Sequence, residues 1–455
     1  MTQTPITQLA DFLEDLRHVA IPDNITFQAR LCLLDTIGCM IAGAGTEDSK
    51  RLLRAETVTN PGNICSVAGG GRHSLLGAAR INAYQGDIFE LNDLIAGHAS
   101  IGIVAAALSL AQARKASGKT LQMAIIAGIE TSSRVYNAFY PYQKPLDEVG
   151  IVSVGMVSSI GAAAACAHIL DLNTIQTTNA LAIAAGWANW CPAEVIFGDG
   201  GSAKPMLFGG LPAASGITAA LAAAEGLTGP HNILTSDKGF FATVATQWNE
   251  DAFRPDNWAL AAPRRKLHAC CGYIHSAYDS IEKLVATTAL APSNVASVTV
   301  EVPVYTLPAI RKPALPSTPN EARFHMQYML AHALAGAEVV TPEMSNDFVA
   351  EFARPEIQDL TARVSVIGAA DLTHYHQSRV TINRKSGAPL TAANAAPRGS
   401  AQNPLSEAAL ISKFTGLSTP VLGADRTARL ASLCLGVERL TTLRDFRTLM
   451  EAKPS

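Results

Sequence analysis

Near residue 264 the hydrophobic period of the chain changes, and that change limits the folds open to it. The preceding segments are rich in Ala and Gly and carry apolar residues at helical spacing; none alternates like a strand for more than a few residues. The stretch Arg264-Arg265-Lys266-Leu267-His268-Ala269-Cys270-Cys271-Gly272-Tyr273-Ile274-His275 follows. Beyond it, 295–302 alternates as a strand, 303–319 is Pro-rich, and 363–367 and 378–383 read as two more strands. Helical patterns return at 405–417, 423–437 and 440–451. The expected fold is therefore mainly α. A large all-helical domain is formed by both chain ends, 1–266 plus 401–455, and a smaller α+β lid domain is inserted at 267–400. At 455 residues the chain exceeds one ordinary core, as two domains require.

Within the first part, helices are expected at 5–20, 24–43, 74–96, 99–115, 119–138, 150–170, 174–189 and 203–227. Several are apolar on every side, so they must be wrapped by other helices, and Gly38 and Gly43 allow close helix contact. A helix is expected at 320–337 and short ones across 344–364, whereas 384–404, with its Gly and Pro residues, reads as a loop. Apolar residues make up 48% of the chain and charged ones 16%, a globular composition with a large interior. A net charge of −3 gives no reason to expect nucleic acid or an anionic membrane as partner. Apolar runs such as 101–111 end well short of a membrane span. Eight scattered cysteines without a secretory leader point to reduced thiols and a cytoplasmic protein.

Three clusters carry chemistry. In Glu90-Leu91-Asn92-Asp93, read as the end of the helix at 74–96, Glu90 and Asp93 are three apart and share a helix face. His98 follows Gly97 on a turn, where an imidazole can act as a general base; a solvated acidic face with a surface histidine is the competing reading. In Phe197-Gly198-Asp199-Gly200-Gly201-Ser202-Ala203-Lys204, a glycine-rich loop runs into a helix. Lys204 there opposes the helix dipole unless a carboxylate is bound beside it, or the lysine is simply solvated. The run Arg264-Arg265-Lys266 is either an interdomain linker or an anion-holding wall. Cys270 and Cys271 with His268 and His275 lack zinc-finger spacing, so no metal is expected. Nor does an elbow motif frame a cysteine nucleophile. Gly69-Gly70-Gly71 is a turn without the Lys-Ser/Thr of a phosphate loop. Tyr136, Tyr140, Tyr142 and Lys144 suit either a pocket lining or an interface.

Taken together the segments resemble the MmgE/PrpD family, which includes 2-methylcitrate dehydratase, cis-aconitate decarboxylase and iminodisuccinate epimerase. The resemblance rests on Leu34-Asp35-Thr36-Ile37-Gly38, Asn92-Asp93 with His98-Ala99-Ser100, Ala203-Lys204-Pro205, Ala269-Cys270-Cys271-Gly272 with His275, Glu321-Ala322-Arg323-Phe324, and Asn403-Pro404-Leu405-Ser406 with Lys413-Phe414. It implies a homodimer with its active site in the cleft between domains. It further implies chemistry without an organic cofactor on a small di- or tricarboxylate: a proton next to a carboxylate is removed, then water or CO2 is lost, or the proton returns on the other face. His98 matches the family's histidine after the acidic segment, Lys204 its pocket lysine, and Arg265/Lys266 its basic pair. The chain departs from the pattern at Glu90 (family Asp), Leu94 (Thr), Val152 (a second histidine) and Cys270 (histidine in the decarboxylases), and no lid tyrosine stands near Ile310, although Tyr305 is close.

The expected site therefore has His98 as base, Lys204, Arg265 and Lys266 holding carboxylates, and Glu90 and Asp93 orienting the imidazole or meeting substrate. Cys270 or His275 handles the second proton, and Tyr142 lines the pocket. A dehydratase is expected ahead of a decarboxylase. An epimerase, or a member that binds carboxylates without turnover, is the alternative.

Overall fold

The computed structural model describes residues 3–197, 201–254 and 256–451. Its first part contains α1 (Pro5–Asp15), α2 (Asp23–Ala44), α3 (Glu47–Thr59), α4 (Leu75–Asp87), α5 (Ala99–Arg114), α6 (Gly118–Phe139), α7 (Val154–Ile169), α8 (Thr174–Gly186) and α9 (Leu211–Ala224). Side-chain caps set many of the starts: Thr4, Thr46, Ser74, Ser117 and Asn173 each accept a first-turn N–H. The helix α7 is apolar all round because α5, α6, α8 and α9 all pack on it. Its Gly, Ala and Ser residues let those neighbours approach closely. At Gly43 a Cβ would lie 2.0 Å from the carbonyl oxygen of Gln85, so α2 crosses α4 backbone to backbone, as its glycine suggests.

Two segments, Asp23–Ala44 and Met206–Ala224, are long and apolar enough to cross a bilayer by length and composition, longer than the runs noticed in the sequence. They are 72% and 56% buried against the rest of the protein, which accounts for their composition.

The second part holds α10 (His275–Thr288) and α11 (Met326–Leu334) on a four-stranded sheet of order β4-β3-β5-β6. It comprises β3 (Val295–Pro303), β4 (Val364–Ala369), β5 (Ser378–Arg384) and β6 (Leu390–Asn394), numbered after a short antiparallel pair, β1 (Cys65–Ser66) and β2 (Arg72–His73), in the helical part. Strand β3 is parallel to β4 and antiparallel to β5, and β5 is antiparallel to β6. Val298, Val300 and Val302 point into the core between Thr299 and Glu301, which is the alternation that announces the strand. The C-terminal helices α12 (Glu407–Leu422) and α13 (Ala424–Leu435) return to α2, and Leu410, Phe414 and Cys434 share a core with the first helices. The chain is thus mainly α, its helical part drawn from both ends, with a smaller α+β part between.

Several elements differ from the expectation. The helix over 74–96 stops at Asp87, and Glu90 takes φ +54°, so Glu90 and Asp93 share no helix face. The helix over 320–337 breaks at His325, which leaves the helical region and caps Tyr328. Strand β6 lies inside the expected loop 384–404; as an edge strand of Thr and Ala it buries no alternating face. The polar helix α3 carries only Ser49 and Glu56 as buried residues, too few to write a period. The Gly69–Gly71 turn joins β1 to β2.

Candidate active site

After Asp87 the chain leaves α4 in a loop that turns through left-handed residues at Glu90, Ala96 and Gly97. Glu90 and Ala96 are strained there, at a cost of about 1–3 kcal/mol each, and such strain persists only where surrounding contacts impose it. At Gly97 the φ of +85° calls for glycine, and a Cβ would also crowd the Tyr136 ring at 3.1 Å and Val154 at 3.3 Å. The contacts that hold the loop are ionic. Glu90 is gripped on one oxygen by Lys204 and on the other, at 2.5 Å, by Lys266, while Lys204 also meets Asp87 at 2.7 Å. All four side chains are buried. Two cations and two anions cancel, which is what lets such charges stay out of water. Lys413 from α12 fastens the assembly from outside: its ammonium donates to the carbonyls of Leu91 and Lys266 and pairs with Asp35 at 2.7 Å.

His98 stands at the start of α5 against this cluster. Its Nδ1 is 3.3 Å from Asn92 Oδ1 and 3.6 Å from Asp87 Oδ1, its Nε2 is 3.9 Å from Glu90 Oε2, and its ring meets the Phe208 edge at 5.6 Å. Burial, helped by the charge of Lys266, pushes its pKa well below the usual imidazole value, so at neutral pH it is an unprotonated base. Burial also brings Lys204 down to about 8 and lowers Lys266. Asp87 Oδ1 is buried without a hydrogen-bond partner. It lies where a protonated His98 would need a counter-charge.

The imidazole opens into a cavity of about 110 Å3, several times the space one water needs. The cavity is shared by the helical and sheet-bearing parts. Glu90, His98, Tyr136, Tyr140, Gln143 and Ser153 line it from one, Cys271, Gly272, Tyr273 and Tyr375 from the other. Apolar lining comes from Leu94, Leu146, Val152, Val154, Ile196, Phe208, Ala309 and Phe324. Burial raises the hydroxyl pKa of Tyr136 and Tyr273 well above the usual phenol value and that of Tyr140 to about 12, and raises the Cys271 thiol, so these groups keep their protons. Arg264 donates to the Tyr375 hydroxyl at 2.9 Å, and among the described residues no carboxylate pairs with it.

The structure brings together some of the residues named from sequence and separates others. Glu90 and His98 line the cavity; Lys204 and Lys266 lie behind Glu90 and do not. The carboxylate that explains Lys204 is thus the protein's own. Arg265 turns away to Gln28, bonding its side-chain oxygen at 2.7 Å and its carbonyl at 3.0 Å. Asp93 braces the loop instead, accepting from Ser100 Oγ at 2.5 Å and the Ile95 N–H. Cys270 is fully buried, and His275 faces its carbonyl at 3.3 Å, so Cys271 is the thiol at the cavity. Tyr142 packs on the helical core, outside the lining, and Lys144 caps the carbonyls of Ala242 and Thr243. Asp87, Cys271, Tyr273 and Tyr375 were not named as site residues; only Tyr136 and Tyr140, one helical turn apart, carried a signal. Gly198, Asp199 and Gly200 of the glycine-rich loop lie outside the described residues. Among the described residues no group of three or more His, Cys, Asp and Glu is placed to hold a metal.

A helical bundle and a small sheet share a cavity at which one neutral imidazole stands beside a charge-balanced lysine–carboxylate cluster, a set of groups able to exchange protons. The chain belongs to the MmgE/PrpD family: the family's N-terminal domain matches residues 7–251 and its C-terminal domain residues 268–437. Its relatives include a cis-aconitate decarboxylase-like protein oryM of Aspergillus oryzae, 23% identical over 98% of this chain and 97% of the relative. A cis-aconitate decarboxylase of Aspergillus terreus is 23% identical over 98% and 95%, and that of Homo sapiens 24% over 99% and 95%. This kinship supports a lyase-type action on a carboxylate.

Proposed function

We propose that the protein is a cofactor-independent lyase that removes a proton next to a carboxylate of a small di- or tricarboxylic acid and then expels water. The observation that carries this reading is His98, unprotonated and facing the cavity, with Asp87 behind it. His98 takes the α-proton, the electron pair forms the C=C bond, and the β-hydroxyl leaves with a proton from a phenol or from the Cys271 thiol. Asp87 stabilises the imidazolium meanwhile, as the aspartate of a catalytic triad does. Loss of water is favoured over loss of CO2 because the cavity offers several protonated hydroxyls but a single imidazole. Proton NMR in D2O on a panel of hydroxy- and unsaturated polycarboxylic acids tests it. Appearance of an alkene with loss of water supports the reading. Release of CO2, or deuterium exchange without elimination, assigns decarboxylation or epimerisation instead. No reaction with any member would overturn the lyase.

The substrate carboxylate is placed at the Tyr375 end, backed by Arg264. Replacing the guanidinium, Arg264→Gln, is expected to raise KM about 10-fold with kcat changed less than about threefold, because Arg264 acts on the substrate through the Tyr375 hydroxyl to which it donates. An unchanged KM would remove Arg264 from binding.

The pH profile follows from the same groups. His98 has a lowered pKa and stays neutral as pH falls, so the acid limb of kcat/KM lies below pH 6.5, the ordinary imidazole value. Lys204 loses its proton near pH 8, which breaks the charge balance around Glu90 and sets an alkaline limb there. An acid limb at or above 6.5 would contradict the buried neutral base.

A further inference from the structure

Among the described residues that line the cavity there is no lysine or arginine, and His98 is neutral. The two lysines behind the wall are already matched by Asp87 and Glu90, and the only charged lining group, Glu90, is an anion. A carboxylate of the substrate buried without a cation or several donors is strongly disfavoured. Beside Glu90, His98 and the Cys271 thiol, the polar lining among the described residues is Tyr136, Tyr140, Tyr273, Tyr375, Gln143 and Ser153.

The rest of the lining is aliphatic or aromatic. Val152, Val154, Ile196, Ala309 and Phe324 belong to one continuous buried apolar cluster, separate from the core on which Tyr136 and Tyr140 pack. Leu94 closes against Gly272, where a Cβ would lie 2.9 Å from its methyl. The backbone around Val152 is itself fixed: its N–H donates to the Cys191 carbonyl at 2.8 Å, so the side chain is held at the wall.

We infer that the substrate is an acid bearing an apolar branch, alkyl or aryl, lodged against the Leu94–Val152–Phe324 wall, with its carboxylates confined to the tyrosine and Arg264 side. It is a substituted dicarboxylate, not a tricarboxylate. The inference rests on the lyase reading for the reaction but not for the binding preference, which the wall sets by itself.

The test is calorimetric binding of unreactive probes to the full-length protein: succinate, methylsuccinate, propylsuccinate, benzylsuccinate and the tricarboxylate tricarballylate. Affinity is expected to rise about fourfold per methylene from methyl to propyl, the value of burying a CH2 group, with tricarballylate weaker than propylsuccinate. Val152→His combined with Leu94→Thr should flatten the series and bring tricarballylate to the top. Val152→Ala, a milder change, should favour benzylsuccinate over propylsuccinate. A flat series in the unaltered protein, no binding by any probe, or tightest binding of tricarballylate would overturn the inference. A rising series with no turnover of any hydroxyacid would instead overturn the lyase reading and leave this one standing.

Discussion

His98→Gln is expected to lower kcat about 10^3-fold and leave the melting temperature within a few degrees of the unaltered protein. General acid–base catalysis contributes about 10^2–10^4-fold, and a side-chain amide retains the polarity and much of the volume of the imidazole without its basicity. The fold should survive because the ring's hydrogen bond to Asn92 is long, at 3.3 Å, and the ion pairs of Glu90 do not involve it. Asp87→Asn separates the base from its helper. If Asp87 stabilises the imidazolium, kcat falls while KM holds and the acid limb moves to still lower pH. If Asp87 serves only Lys204, the alkaline limb moves to lower pH and the acid limb stays in place. Turnover within tenfold of the unaltered protein in His98→Gln would remove His98 as the base and pass the role to Glu90, the other proton acceptor at the wall.

The mainly α architecture was legible because helices buried on every side must be apolar throughout, and the valine alternation of β3 stood out against them. The site was legible only in part. Lys204 stood out because it opposed a helix dipole, and His98 because it followed a glycine turn. Their partners did not, since the acidic segment looks helical until Asp87 and only the folded chain shows Glu90 in a left-handed conformation between two lysines. Cys270 and Cys271 are neighbours in one buried cluster but only Cys271 reaches the cavity, and a one-residue difference of that kind has no signature in composition. Tyr375 reaches the cavity from a loop between β4 and β5, more than a hundred residues beyond Arg264, so its pairing with that arginine depends on how the sheet-bearing part docks. Arg265, the middle of three adjacent cations, serves α2, while its neighbours on either side serve the site.

Glu90→Gln should be among the most destabilising single changes, costing about 3–5 kcal/mol at pH 7, the usual penalty for stripping one partner from a buried ion pair. Lys204 then keeps one carboxylate, Asp87, and Lys266 keeps none among the described residues. The pH dependence identifies the cause. Lys204 already sits near 8 in the folded protein against 10.5 when exposed, so between those values the unfolded chain holds more protons and stability rises with pH. Removing the anion drops the folded pKa of both lysines further and carries that window below 8. The deficit of the variant should therefore be largest at pH 6–7 and shrink towards pH 10, as the unpaired ammonium groups shed their protons. Adding Lys266→Met, which replaces the stranded cation by an apolar side chain of similar length, should restore most of the lost stability without restoring turnover. Chemical denaturation at pH 6, 7, 8.5 and 10 measures all of this. A deficit under about 1 kcal/mol, or one that stays constant across that range, would mean that Glu90 does not neutralise the two lysines and that its left-handed turn is held by packing alone.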